Sequence, residues 1–327
     1  MRRVTLELVQ NNNFQVCVRT LFMDNPRTLI IVLHYGSIED TLACLDSLRR
    51  SVVSPFDLFV VNNGPDKEVE SILKAKHPDV VYHNAGLETG FAAGNNIGLR
   101  FSLERGYRYS LVLNNDTIAE QDFLRPLTQV MEKDRSIAMA GPAMYFYNNK
   151  EQLWSCGGWI CEWSGHISGI SDLGQLSSDA ADVDYLPGAC ILVRNSALGK
   201  IGLMCEEYFL AYEEADWAIQ ARRARFKVVA CAKSVLLHKG GVSSRFTPEL
   251  IYNSFRNRFL FFRRQFRVPI SWLLTICVLL NGLRKNALSR RLRWRAFQDH
   301  FKYHDIRRSH LDAVRVEMKN ECTLEAG

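Results

Sequence analysis

Short apolar runs alternate with amphipathic segments along the chain from residue 28 onward. Runs rich in Ile, Leu and Val, which are typical of buried strands, occur at 28–35, 56–61, 80–83 and 109–113. Amphipathic segments between these runs predict helices, the first of which begins at Ser37 or Asp40. Strands that alternate with helices at this spacing indicate an α/β fold, with a mostly parallel sheet and helices on both faces.

The alternation becomes less regular beyond residue 150. Residues 154–178 are rich in Gly, Ser and Trp without a clear period, which predicts a loop or irregular sheet. Regular patterns then return and predict strands at 184–194 and 228–238, with a helix at 207–225 between them. A chain of 327 residues of which 47% are apolar is long enough to bury one large core or two ordinary ones.

Small polar residues follow four successive predicted strands. They are Tyr35 after the first strand, Asn62 and Asp66 after the second, Asn84 after the third, and Asn114 to Asp116 after the fourth. In open parallel sheets, ligands bind beyond the carboxyl ends of the strands. These residues are therefore expected to line one crevice.

Two acidic sites indicate an enzyme. Asp116 closes an apolar strand, where a carboxylate can bind Mg²⁺ or Mn²⁺ together with diphosphate oxygens and water. The alternative is an Asx-turn that only ends the strand. His238 also ends a predicted strand, and it either completes the metal shell, contacts phosphate or is structural.

The second acidic site lies at the start of the predicted helix 207–225. Glu213, Glu214 and Asp216 precede an apolar and basic segment there. Acidic residues in a first turn can simply interact with the helix dipole. Together with Asp116, however, they suggest one site for a metal and another for a base.

Residues 86–98 form a segment with four glycines that is predicted to be a loop before a helix. The segment matches neither the dinucleotide fingerprint nor the P-loop, because no Gly-Lys-Ser/Thr follows. It is still expected to form a backbone cradle for an anion at a helix N-terminus.

Charge is distributed unevenly over a chain with net charge +6. Residues 251–308 contain fourteen Lys and Arg against two Asp, so the rest of the chain is acidic. Such a basic segment is suited to binding a phospholipid surface or nucleic acid. The alternative is that the arginines form a solvated face of a helix and bind no partner. The uncharged run 268–283 is too short to span a bilayer and favours an interfacial helix over a buried one.

The distribution of cysteines and the N-terminal sequence indicate the cellular compartment of the protein. Nine cysteines are scattered as single residues, which is typical of a reducing compartment, and the N-terminus lacks an apolar signal segment. We therefore expect a cytoplasmic protein, peripheral on the inner face of the cytoplasmic membrane.

Several blocks together resemble the family 2 glycosyltransferases of the GT-A fold, particularly the rhamnosyltransferase-like branch. The blocks lie at 30–46, 60–66, 84–99 with GFAAGNNIGL, 111–117 with LVLNNDT, and 187–241 with PGACILVR, YFLAYEEADWAIQARRARFKVV and LLHKGG. The segment 252–258, YNSFRNR, resembles what usually follows. The resemblance covers 28–265, which implies an N-terminal extension (1–27), a GT-A domain (28–265) and a helical membrane-surface or packing extension (266–327).

The resemblance implies roles for individual residues. Asp116 takes the place of the metal-binding acid of the DxD-type motif, preceded by Asn114 and Asn115, and His238 matches a position that meets the metal or diphosphate. The nucleotide-sugar-contacting positions are matched by Tyr35, Asn62, Asp66, Asn84, Gly90, Asn95, Asn96, Asn114 and Asn115. The pair Glu213–Glu214 matches the acidic motif whose second member is the catalytic base.

The chain departs from the family pattern at two positions. Asn62 and Glu214 both stand where the family usually has Asp. A glutamate can still deprotonate a hydroxyl if its geometry allows. Glu213 and Asp216 are the alternative bases, and a catalytically silent member is the other reading.

The implied activity is inverting, metal-dependent transfer of a sugar from a nucleotide-diphosphate donor to a glycan or lipid-linked acceptor in cell-surface polysaccharide synthesis. Three classes of sugar donor fit this resemblance equally, namely dTDP-rhamnose, UDP-sugars and GDP-sugars. A sugar nucleotidyltransferase is less favoured, because strand one leads into His34-Tyr35-Gly36-Ser37 rather than a Gly-rich Arg/Lys motif. A non-enzymatic protein binding nucleic acid or another anionic surface is also less favoured, because residues 251–308 contain no recognisable nucleic-acid-binding module.

Overall fold

A computed structural model describes residues 28–86, 89–161, 166–240, 248–266, 273, 275–276 and 287–302. The predicted N-terminal extension, most of the uncharged run 268–283 and the C-terminal residues 303–327 lie outside the described residues.

The first half of the chain has the predicted alternation of strands and helices. The strands are β1 (Thr28–His34), β2 (Phe56–Asn62), β3 (Val81–Asn84), β4 (Tyr109–Asn114) and β5 (Thr117–Ile118). The helices are α1 (Ile38–Ser51), α2 (Val69–Lys76), α3 (Phe91–Glu104) and α4 (Leu124–Lys133). Helix α1 begins where predicted, because the Ser37 hydroxyl accepts a hydrogen bond from the Asp40 backbone N–H at 3.1 Å.

The second half contains shorter strands before regular structure returns. The strands are β6 (Ile137–Phe146), β7 (Asn149–Ser155), β8 (Gly158–Ile160), β9 (Ile167–Gly169), β10 (Ala180–Asp182), β11 (Cys190–Arg194) and β12 (Lys227–His238). The helices are α5 (Asn195–Ile201), α6 (Glu213–Arg223), α7 (Pro248–Gln265) and α8 (Ala287–Lys302).

The main sheet has the order β10-β12-β6-β11-β4-β1-β2-β3, with β5 on β12 and β7 on β6. Strands β1, β2, β3 and β4 are parallel, and β12 is parallel to β6. The chain moves outward from β1 to β3 and then returns to place β4 on the other side of β1. The β1/β4 boundary is therefore a topological switch point, where sheets of this kind bind ligands.

Strand β1 is buried on both faces, which explains its continuous apolar run. Ile30 and Val32 pack with residues of α1, α2 and α4, whereas Leu29 and Ile31 pack with residues of α3, α5 and α6. Alternate side chains of a strand point to opposite faces, so both layers of helices need apolar partners. The mostly parallel sheet with helices on both faces is confirmed.

A third apolar cluster joins α7 and α8 to the segment before α6. Its buried members include Tyr208 and Phe209 before α6, Phe259 and Phe262 of α7, and Leu292 of α8. None of the described helices is long and apolar enough to cross a membrane.

Three predicted boundaries are wrong. The strand expected at 184–194 begins only at Cys190, because a turn at 188–189 precedes it, and the helix expected from residue 207 begins at Glu213. The loop predicted at 86–98 becomes helix α3 at Phe91. The glycines inside α3 allow close packing on the sheet: a Cβ at Gly98 would lie 2.4 Å from Ile31.

Candidate active site

The polar ends of the four parallel strands lie side by side. Across the sheet His34 is paired with Asn62, Asn62 with Asn84, and Leu33 with Asn114. The predicted crevice residues therefore lie along one edge of the sheet, at and beside the switch point.

Asn62 and Asn84 use their side chains to hold the turns at this edge. The Asn62 amide donates to the Asp66 carbonyl at 2.7 Å and accepts from the Gly64 N–H at 3.0 Å. The Asn84 side chain accepts from the Gly86 N–H at 2.9 Å. Their contact with a nucleotide stays a prediction, while the hydrogen bonds show that they shape the crevice wall.

Asn115 connects the fourth strand end to the first. Its amide donates to the Thr41 hydroxyl at 2.9 Å and to the Tyr35 carbonyl at 3.2 Å. Tyr35 itself is 41% exposed at the mouth of the switch point. Asn115 thereby fixes the β1–α1 loop against the turn that presents Asp116.

The start of α3 is held by residues far away in the chain. Gly90 has φ +87°, and a Cβ there would lie 2.6 Å from the Phe209 carbonyl oxygen. Asn63, which the sequence did not single out, donates to the Gly90 carbonyl at 3.1 Å and accepts from Thr89. The predicted anion cradle is thus a tightly packed junction with the segment that leads to α6.

Asn95 and Asn96 lie in the first turns of α3, and both are buried. The Asn95 amide donates to the Phe91 carbonyl at 3.0 Å. The Asn96 amide donates to the Met204 carbonyl at 2.9 Å and accepts from its N–H at 3.1 Å. Asn96 therefore joins α3 to the approach to α6, and nucleotide contact by either residue stays a prediction.

Asp116 and His238 meet beside the switch point. Thr117 pairs with His238 between β5 and β12, and His238 Nε2 lies 3.2 Å from Asp116 Oδ1. Asp116 is 7% exposed and His238 is 2% exposed. The Trp154 ring packs on the imidazole with centroids 4.3 Å apart.

This pair has the donor atoms for a divalent cation. Neither ring nitrogen of His238 makes a hydrogen bond within the described chain, although Nε2 is at ion-pair distance from Asp116. A carboxylate and an imidazole with available nitrogen are suitable ligands. No group of three Asp, Glu, His or Cys side chains forms a cation site among the described residues, so a bound ion would need further ligands from its substrate.

The second acidic site consists of Glu213 and Glu214 at the start of α6. Glu213 is 3% exposed, whereas Glu214 is only partly buried. Oε2 of each carboxyl has no hydrogen-bond partner in the described part of the chain. Burial, and then the charge of Glu214, raises the pKa of Glu213 well above its usual value, and burial also raises the pKa of Glu214.

Two tyrosines that sequence reasoning missed lie within electrostatic reach of Glu214. Burial and the charge of Glu214 raise the pKa of Tyr185 to about 12. Burial and the same charge also raise the pKa of Tyr212, which the charge of Arg258 lowers. Four residues after Tyr185, the Ala189 carbonyl accepts a hydrogen bond from the Asn114 N–H at 3.0 Å, at the end of the strand that precedes Asp116.

The turn before Glu213 has an unfavourable backbone conformation. Ala211 and Tyr212 have φ of +74° and +77°, a backbone conformation that residues other than Gly rarely adopt. Asn257 of α7 donates to the carbonyls of Leu210 and Ala211 at 2.8 and 2.9 Å. Helix α7 thus stabilises the turn that orients Glu213 and Glu214.

Asp216 is bound to α7 rather than directed at open space. The Arg264 guanidinium lies 3.1 Å from Asp216 Oδ1, and the Gln265 amide and the Tyr208 hydroxyl also donate to this carboxylate. Asp216 is 2% exposed. The geometry therefore favours Glu214 over Asp216 as the group that meets a substrate.

Asn257→Ala tests whether the hydrogen bonds from Asn257 are needed to hold the turn before Glu213. We expect kcat to fall by about 10- to 100-fold with little change in donor KM, because small displacements of a catalytic group are costly. Adding Ala211→Gly should restore part of kcat, since Gly adopts positive φ without strain. Thermal melting and steady-state kinetics measure both effects. A loss of melting temperature with unchanged kcat would contradict this role.

The chain is similar to known glycosyltransferases over most of its length. The model of "Glycosyl transferase family 2" matches residues 29–202. The chain is 27% identical over 260 residues, 77% of this chain and 81% of the relative, to the low-salt glycan biosynthesis hexosyltransferase Agl10 of Haloferax volcanii. It is 28% identical over 31% of its length, and 34% of the relative, to the N-acetylglucosaminyl-diphospho-decaprenol L-rhamnosyltransferase of Mycobacterium tuberculosis.

Solved structures share the fold at low identity. The mannosyltransferase PcManGT of Pyrobaculum calidifontis, in complex with GDP-Man and Mn²⁺, has a TM-score of 0.53 and 14% identity, covering 90% of this chain and 81% of that one. GalNAc-T7 with UDP, GalNAc and Mn²⁺ has a TM-score of 0.53 and 13% identity, covering 65% of this chain and 42% of that one. These likenesses confirm the GT-A fold.

Proposed function

Because the chain belongs to glycosyl transferase family 2, we propose that it uses metal-assisted, inverting chemistry at the two acidic sites. The chain is a nucleotide-sugar glycosyltransferase of glycan or lipid-linked polysaccharide synthesis, in line with its hexosyltransferase and rhamnosyltransferase relatives. The proposal adds a mechanism and assigns a role to each acidic site.

The pair of carboxyl groups at the start of α6 carries the proposal. A partly exposed Glu214 beside a buried Glu213, with a raised pKa and no hydrogen-bond partner for Oε2 in the described chain, is poised to accept a proton. Tyr185 and Tyr212 lie within electrostatic reach of this carboxyl, which is the group that we expect an acceptor hydroxyl to approach.

Asp116 and His238 would hold a divalent cation, whose charge would stabilise the nucleoside diphosphate leaving group. Mg²⁺ takes oxygen ligands, so the imidazole nitrogen favours Mn²⁺. The structures of PcManGT and GalNAc-T7, both of which contain Mn²⁺, support this choice.

The proposed reaction needs one base and no covalent intermediate. Glu214 takes the proton of the acceptor hydroxyl, and the hydroxyl oxygen forms a bond to the anomeric carbon of the donor. The bond from that carbon to the diphosphate oxygen breaks, and its electron pair stays on the diphosphate. Because the oxygen attacks from the face opposite the leaving group, the configuration inverts.

The pH profile follows from the raised pKa of Glu214. A base must be deprotonated, so activity is lost as pH falls through its pKa. Because burial raises this pKa above the usual 4.5, we expect the acid limb of kcat/KM above pH 4.5. A limb at or below pH 4.5 in the unmodified protein would contradict the assignment.

A donor panel tests the activity itself. UDP-, GDP- and dTDP-sugars are each incubated with Mn²⁺ or Mg²⁺ and a lipid-linked glycan acceptor, and nucleoside diphosphate release is measured. We expect one donor class to give acceptor-dependent release that EDTA abolishes and Mn²⁺ restores. Release that is insensitive to EDTA would overturn the metal-assisted mechanism.

Contact with a membrane surface through 251–308 is part of the proposal. Large apolar side chains are exposed there, at Leu273, Ile276 and Trp294. Basic segments with exposed apolar residues bind anionic bilayers. We therefore expect the protein to co-sediment with anionic vesicles in a salt-sensitive manner and not to bind oligonucleotides. Trp294→Ala should weaken vesicle binding several-fold. Equal binding to neutral vesicles, or binding to oligonucleotides, would argue against this surface.

A further inference from the structure

An ion pair lies beside the proposed cation site and joins two distant parts of the chain. The Lys239 ammonium lies 2.7 Å from Asp40 Oδ1. Lys239 directly follows His238, and its backbone N–H donates to the Asp116 carbonyl at 2.9 Å. The four-carbon stem of the lysine therefore keeps the ammonium within one side-chain length of the turn that presents Asp116.

Asp40 is anchored to the same turn from the other side. It lies in the first turn of α1, and its backbone N–H donates to the Ser37 hydroxyl at 3.1 Å. The Ser37 carbonyl in turn accepts from the amide of Asn115, the residue before Asp116, at 3.4 Å. Both members of the ion pair are thus held against the turn that contains Asn115 and Asp116, at the edge of the sheet where the switch point lies.

The ion pair is accessible and contributes little to the stability of the fold. The Lys239 side chain is 25% exposed and the Asp40 side chain is 34% exposed, and ion pairs near the surface are weak. Each member also has a second stabilising contact. The ammonium lies 5.6 Å from the centroid of the Tyr147 ring, and Asp40 lies at the positive end of the α1 dipole. A ligand anion can therefore replace Asp40 at the ammonium at a small energetic cost.

The charge of a nucleotide-sugar donor requires more than one cation for neutralisation. Its diphosphate carries two negative charges, and a third develops as the bond to the sugar breaks. A divalent cation held by the Asp116 carboxylate and the His238 imidazole contributes only one net positive charge, because the carboxylate offsets the other. The departing diphosphate therefore still carries excess negative charge, which an ammonium beside it would offset.

We propose that the Lys239 ammonium binds the diphosphate of the nucleotide-sugar donor, and that the donor displaces Asp40 to reach it. This inference rests on the proposed function, in which the donor diphosphate binds at the Asp116–His238 site. Without donor, Asp40 pairs with the ammonium and keeps it beside the site. When the donor binds, the ammonium exchanges the carboxylate for phosphate oxygens. A lysine suits this exchange, because it binds phosphate as a point charge and needs no fixed orientation.

Calorimetric titration with nucleoside diphosphates measures this contact without turnover. UDP, GDP and dTDP are each titrated in the presence of Mn²⁺, and the one that binds the unmodified protein most tightly is used with all variants. Its nucleoside, which has no phosphate, is the reference ligand. The variants are Lys239→Met, Lys239→Arg, Asp40→Asn and the double variant Lys239→Met/Asp40→Asn. The control is Lys150→Met, which loses only an exposed ion pair with Glu120. Thermal melting shows that each variant folds.

We expect Lys239→Met to raise the Kd of the nucleoside diphosphate by about 10- to 100-fold, as for loss of a charge-assisted hydrogen bond. Lys239→Arg keeps the charge and should stay within about fivefold. Asp40→Asn should lower the Kd by about two- to fivefold, because it removes the carboxylate that competes for the ammonium. The double variant should bind as weakly as Lys239→Met, since the gain from Asp40→Asn requires the ammonium. The Kd of the nucleoside, and that of the diphosphate for Lys150→Met, should stay within about twofold.

Three results would overturn the inference. The first is a Lys239→Met protein that binds the diphosphate as tightly as the unmodified protein. The second is weaker binding by both Lys239→Met and Asp40→Asn, which would mean that the ion pair only maintains the shape of the site. The third is an equal gain from Asp40→Asn with and without Lys239, which would reflect only the loss of a nearby negative charge. Failure of the proposed function gives a different result, because the unmodified protein would then bind the diphosphate equally well with Mn²⁺ and with EDTA, whereas Lys239→Met would still weaken binding.

Discussion

Asp116→Ala should lower transfer by about a thousandfold or more, and it should abolish stimulation by Mn²⁺. The carboxylate is buried at the end of β4, 3.2 Å from His238, and the described residues provide no third acidic, His or Cys ligand to replace it. Loss of Asp116 leaves a single imidazole to hold the ion. Calorimetric titration with Mn²⁺ in the presence of nucleoside diphosphate measures binding separately from turnover.

Glu120→Ala is the matched control for Asp116→Ala. Glu120 is an exposed carboxylate four residues further along, paired with Lys150. We expect its removal to change neither turnover nor Mn²⁺ binding, because exposed ion pairs contribute little. An Asp116→Ala protein that still binds Mn²⁺ as tightly as the unmodified protein would refute the metal assignment.

Glu214→Gln should lower kcat by about 10²- to 10⁴-fold while leaving donor KM nearly unchanged. The amide keeps the shape of the side chain but cannot accept the hydroxyl proton. Because Glu213 and Glu214 repel each other when both are charged, the substitution should also maintain or raise the melting temperature at neutral pH. Rapid-quench kinetics with saturating donor and acceptor isolate the chemical step.

The neighbouring carboxylates provide the comparison for Glu214→Gln. Asp216→Asn removes the ion pair with Arg264 and should mainly lower the melting temperature, because it loosens α6 from α7. Glu213→Gln should retain most of kcat at neutral pH. If Glu214→Gln kept nearly full activity while Asp216→Asn or Glu213→Gln lost it, the base would be misassigned.

The parallel strands of the sheet could be predicted from the sequence, because burial determines the pattern of apolar residues in each strand. Strand β1 packs apolar side chains on both faces, so its run of Ile, Leu and Val could be read directly. The start of α3 could not be predicted, since the glycines that look like a loop are packed against β1. Their role depends on a distance between two elements, which local sequence does not encode.

The acidic residues of the candidate site could be predicted from the sequence, but the residues that hold them in place could not. Asp116 and Glu214 were evident as charged residues beside apolar segments, and the fold places His238 against Asp116. Ala211 and Tyr212 gave no sign of positive φ, because neither residue favours it. The brace from Asn257 comes from a helix more than forty residues later, and only the folded chain brings the two together.

The anomeric configuration of the product tests the central claim most directly. Transfer is followed by proton NMR with the donor identified by the panel, and the coupling at the anomeric carbon is compared between donor and first-formed product. A base at Glu214 acting without a covalent intermediate predicts inversion of configuration. A product that retains the donor configuration would contradict the account, because it would require a nucleophile in place of a base.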